Sequence, residues 1–167
     1  MISLRILTLI VLSLIVAACG GDDEEGKDTK VTTETTAGGE KTEGTSTSLK
    51  AVLSGTEEVP GPGVKDGVGA ALIDIAGSKV CADLNVTMGE KPQKAHIHKG
   101  AKGASGPVVV DLVPVFNPGE AAFTSKSCVE TAADTAAQLI ADPGGYYVNV
   151  HSASHSDGAM RGQLAKV

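Results

Sequence analysis

The chain has 167 residues, 14 basic and 20 acidic side chains, and a formal net charge of −6. Two Phe, two Tyr and no Trp are its aromatics, so any core is mostly aliphatic. With no basic patch interleaved with aromatic residues, nucleic acid is excluded as an expected partner.

In chain order, residues 1–5 are a short n-region with one positive side chain, Arg5. Residues 6–16 are mostly apolar, too few to span a bilayer comfortably, and run into Ala17-Ala18. That is the pattern of a secretory signal peptide over residues 1–18. The junction Val16-Ala17-Ala18-Cys19-Gly20 resembles the lipobox of bacterial lipoproteins. The resemblance implies that Cys19 is acylated, becomes the new N-terminus and anchors the protein to a membrane. The expected location is the extracytoplasmic side of a bacterial cell envelope, at the outer membrane or the cell surface. Each buried methylene adds about 0.8 kcal/mol of membrane affinity, so several acyl chains hold where one does not.

Residues 19–48 follow as a tether. From Gly20 onward they carry eight acids and three lysines, a net of −5, with Val31 as the one large aliphatic residue. Such a stretch has too little apolar surface to offset the entropy of ordering it. Residues 49–167 are long enough for a single core and make the folded domain.

Within that domain, residues 49–53 alternate as a strand and Gly55 ends it. Residues 67–75 and 80–88 are two strands joined by the turn Ala76-Gly77-Ser78-Lys79. On the second, Val80, Ala82, Leu84, Val86 and Met88 form one face, and Cys81, Asp83, Asn85 and Thr87 the other. That is a half-buried antiparallel strand. Further strands are expected at 94–98, 107–113, 121–126, 145–151 and 159–165. Residues 131–141 are alanine-rich and predict a short helix, with Thr131 as N-cap and Asp142-Pro143-Gly144-Gly145 as the stop. The fold class expected is all-β: an antiparallel β-sandwich, Greek-key or immunoglobulin-like, with one short helix.

With Cys19 spent on lipidation, Cys81 and Cys128 remain in an oxidising compartment. They are expected to form a disulfide, the alternative being two free thiols.

Three histidines stand out on two strands. His96 and His98 flank Ile97 and share one face, about 6–7 Å apart at ~3.3 Å rise per residue. On the other strand Tyr147, Asn149 and His151 share a face. Paired strands would bring the three imidazoles together, and imidazole suits copper and zinc. His155 is a candidate fourth ligand. The other reading has the imidazoles hydrogen-bonding loop carbonyls, holding the Lys99-Gly100 turn and the loop after His151 in place. Other chemistry is weaker. No Gly-x-Ser-x-Gly elbow or phosphate loop is present, and the adjacent Ser154, His155, Ser156 and Asp157 do not make a triad. No catalytic residue is assigned.

The motifs Leu53-Ser54-Gly55-Thr56-Glu57-Glu58-Val59-Pro60, Ala95-His96-Ile97-His98-Lys99-Gly100, Tyr146-Tyr147-Val148-Asn149-Val150-His151 and Gly158-Ala159-Met160-Arg161-Gly162-Gln163-Leu164 stand in this order. Together they resemble the CHRD domain, named from the extracellular growth-factor binder chordin and found in many exported bacterial proteins. The resemblance covers residues 49–167 and implies a binding or structural module whose ligand and protein or cell-envelope partner the sequence does not name. The His-x-His strand, the Val-x-Val-His strand and the late arginine also look like Cu,Zn superoxide dismutase. That likeness implies a mononuclear copper or zinc site at His96, His98 and His151, with Arg161 guiding anions and superoxide-dismutase-like chemistry. The chain departs from it: no histidine stands where one bridges copper and zinc, and no zinc-binding cluster lies between His98 and Cys128.

Overall fold

The computed structural model describes residues 45–167. The signal segment 1–18, Cys19 and most of the tether lie outside the described residues. Among the described residues no helix is long and apolar enough to cross a membrane.

Strands dominate because apolar residues alternate with polar ones over most of the domain. In order they are β1 (Thr47–Ser54), β2 (Val68–Ala76), β3 (Lys79–Thr87), β4 (Pro92–Lys99), β5 (Val108–Asp111), β6 (Asn117–Pro118) and β7 (Phe123–Glu130). After the helix α1 (Ala133–Ala141) come β8 (Tyr146–Ser152), β9 (Met160–Gln163) and β10 (Ala165–Lys166). They form one antiparallel sheet in the order β5-β4-β8-β9-β1-β2-β3-β7-β6, with β10 on β1. The two wings join at the single pair Ser54↔Arg161. Their inner faces share one apolar cluster, which includes Leu49, Ile73, Leu84, Ile97, Val148 and Leu139. Each such side chain contributes roughly 1.5–3 kcal/mol on burial. The all-β, sandwich-like fold is thus made by curling one continuous sheet.

β1 starts two residues before the expected domain boundary. Thr47 and Ser48 pair with Ile75 and Asp74, and the Ser48 hydroxyl donates to Asp74. The β2–β3 hairpin is as expected, and its turn needs Gly77, whose φ is +61°. On β3, Val80, Leu84 and Val86 are fully buried and the Cys81 side faces out. β7 runs four residues beyond the expected end at 126 and places Cys128 opposite Cys81, and the two are disulfide-bonded.

The helix starts later than the sequence suggests. Its N-cap is Ala132, with no side-chain capping bond. The N–H of Thr131 donates to the Ser78 carbonyl, so this residue continues the extended chain of β7 and Ala132 takes the cap position. α1 buries Ala136 and Leu139, and the Tyr146 hydroxyl donates to Gln138 to tie it to β8.

Candidate metal centre

Antiparallel pairing of β4 with β8 builds the site. The register sets His96 opposite Asn149, His98 opposite Tyr147 and Lys94 opposite His151. Strand alternation then puts all three histidines on the face away from the apolar core. One ring nitrogen from each of His96, His98 and His151 lies within 4.8 Å of the others. Nδ1 of His96 is 3.0 Å from Nε2 of His151. Two nitrogens held ~2.0–2.1 Å from a tetrahedral ion stand about 3.3 Å apart, so little movement is needed to share one.

Hydrogen bonds decide which nitrogens are free. Nδ1 of His98 lies 2.9 Å from the Gly106 carbonyl, and Nδ1 of His151 lies 3.0 Å from the Ser156 carbonyl. A carbonyl only accepts, so in both neutral rings Nδ1 carries the proton and Nε2 presents a lone pair. Nε2 of His98 is buried and has no partner. Nε2 of His96 faces the Asp111 carboxylate at 3.9 Å. With its proton on Nδ1, His96 donates to the His151 Nε2 lone pair at 3.0 Å; with its proton on Nε2, toward Asp111, the two lone pairs are placed to share a cation. Carbonyl and carboxylate partners behind ligating imidazoles are the usual outer shell of a metal site. The two sequence readings therefore apply to different atoms: Nδ1 of His98 and His151 holds a loop, and Nε2 remains for a ligand.

Charge state agrees. Burial, the largest influence, pushes the pKa of His96 down; Asp111 opposes it, and His98 and Lys94 reinforce it. Burial likewise lowers His151, against the Ser156 hydrogen bond and with help from His96, His98 and Lys94. Both rings are neutral near pH 7, the form that ligates.

The remaining sequence candidates fall elsewhere. His155 does not join the cluster; its Nδ1 pairs with Glu90, which also accepts from Ser152. Arg161 is 2 % exposed and lies beneath loops. Its Nη2 donates to the Ala104 carbonyl at 3.0 Å, and Cζ sits 3.6 Å above the Tyr147 ring. Tyr147 in turn stacks on His98, centroids 4.9 Å apart and planes 13° from parallel.

Two residues of the site, Glu58 and Asp111, were not singled out as site residues from the sequence. Glu58 is 5 % exposed; its Oε1 accepts from the Asn149 amide and the Val59 N–H. Burial raises its pKa, partly countered by Val59, then Arg161 and Asn149. Asn149 was legible as part of the His151 face, whereas Glu58 and Asp111 carry no local signal. A groove of about 450 Å³ beside the disulfide, lined by Leu72, Asp74 and Lys126 among others, holds none of the histidines.

Comparison with protein families matches residues 49–164 to the CHRD domain. No curated protein matches the chain. The likeness to superoxide dismutase drawn from the histidine pattern gains no support from the match.

Proposed function

The chain belongs to the CHRD domain family, a binding or structural module, and from that premise we propose that it binds one Cu(II) or Zn(II) ion through His96, His98 and His151. The observation that carries this reading is the tautomer arrangement: two imidazoles pinned by carbonyls at Nδ1, with Nε2 of His151 3.0 Å from the third ring and Nε2 of His98 buried without a partner. Three imidazoles with no thiolate suit Cu(II) and Zn(II) and leave a coordination position for water or a small ligand. Calorimetric titration of each ion into residues 45–167 and into the His98→Ala variant tests it. Wild-type binding that the variant loses upholds the proposal, and equal, weak binding by both sinks it.

The same proposal places the module outside the cytoplasm on a lipid anchor at Cys19. The signal-like segment and lipobox-like junction support this, and the Cys81–Cys128 bond agrees with an oxidising compartment. Processed Cys19→Ser protein should leave the membrane fraction. Retention after a high-salt wash would refute the anchor.

A further inference from the structure

A closed ring of contacts passes through His98 without including another ligand. Arg161 donates to Ala104; two residues on, Gly106 gives its carbonyl to His98 Nδ1 and its N–H to the Tyr147 hydroxyl. Tyr147 stacks on His98 on one side and carries the Arg161 guanidinium on the other. Gly106 is required in this loop, because a Cβ there would fall 1.6 Å from the Lys99 carbonyl oxygen.

We infer that Arg161 is the positioning residue of His98, fixing its ring plane through Tyr147 and its tautomer through the 104–106 loop. This deepens the metal-binding reading, on which its affinity readout rests. A buried guanidinium is an expensive way to stabilise a fold, since apolar residues of similar volume often do as well or better. Here Nη1 has no partner, and neither do Glu58 Oε2 and Asn149 Oδ1 nearby. What the arginine supplies that an apolar residue lacks is direction: a planar fork aimed at one carbonyl and a cation over one ring face.

The test uses the full chain in detergent, labelled with ¹⁵N at its four histidines. Long-range ¹H–¹⁵N spectra of metal-free protein report each tautomer directly. Wild type should show His98 wholly as Nδ1–H. Arg161→Met should show a mixture with Nε2–H and at least ~10-fold weaker Cu(II) binding, the scale of a lost outer-shell partner. Arg161→Lys should recover part of both. Because Arg161→Met leaves Glu58 facing no cation, the Glu58→Gln/Arg161→Met double variant removes both charges and serves if the single variant fails to fold. A folded variant with His98 still wholly Nδ1–H and wild-type Cu(II) affinity overturns the inference. If wild type binds no Cu(II) yet the tautomer shifts as stated, the inference stands and the metal reading falls.

Discussion

Strands β3 and β8 follow the same two-residue period and meet opposite surroundings. On β3 the inner face is buried, while Asn85 and Thr87 face water and Cys81 and Asp83 are half-covered. On β8 all seven residues are buried, polar ones included. Loops carrying Ala104, Gly106 and Ser156 are hydrogen-bonded onto the outer side of β4, β8 and β9. Four of the five buried side-chain atoms without partners among the described residues belong to this covered region: Glu58 Oε2, His98 Nε2, Asn149 Oδ1 and Arg161 Nη1. An unmet buried polar group costs about 1–3 kcal/mol. A fold that needed only stability would leave such groups in water, as β3 does. The β3 wing leaves its polar residues half-covered or in water, and the β8 wing buries them.

That contrast can be broken in several ways. The largest effect belongs to the β3 wing. The Cys81–Cys128 bond closes a loop with a sequence separation of 47. Chain entropy gives about 4 kcal/mol for it. Reduction should lower Tm by more than ~10 °C for a domain of this size while leaving the tautomers of His98 and His151 unchanged. Two alkylatable thiols in denatured, unreduced protein from the native source would contradict the bond itself.

Next comes the β8 wing. His98→Ala should lose more Cu(II) affinity than the ~10–100-fold typical of an outer-shell partner, and His155→Ala far less, because His155 is held by Glu90. Equal losses on titration would put His155 in the site.

A smaller effect is in pH. His96 and His151 are held below their usual value of 6.5 in the folded chain. The unfolded chain then binds more protons below pH ~6.5, so stability is complete above that pH and falls as pH drops through and below it. Tm should decline between pH 7 and 5, and less steeply in His151→Gln. A variant profile that superimposes on wild type would remove these rings as the cause. The smallest effect is expected at Val52, on the open side of β1 and 79 % exposed: Val52→Ser should change stability by no more than ~0.5 kcal/mol in denaturant unfolding.

Legibility follows the same division. The β3 alternation could be read because water lies on one side and core on the other, so residue type reports the face. The histidine face of β4 and β8 was readable for a related reason: period two holds whatever covers the strand. What covers it was not. The carbonyls of Gly106 and Ser156 set the tautomers, and a backbone carbonyl leaves no mark on residue type. Glu58 meets Asn149 across 91 residues, and nothing local announces that pairing. Thr131 had the composition of a cap, but its N–H bonds the Ser78 carbonyl beside the long-range β3–β7 pairing, and Ala132 takes the cap position.

Among the described residues, curling one sheet into two wings leaves β5 and β6 as the margins at the two ends of the strand order. An unpaired margin is a template onto which another copy can add a strand and begin to aggregate. Here the margins are four and two residues long, and Pro118 in β6 has no N–H to offer. These two margins therefore present little backbone for edge-to-edge growth, and crowded copies find short footholds there at which to zip together.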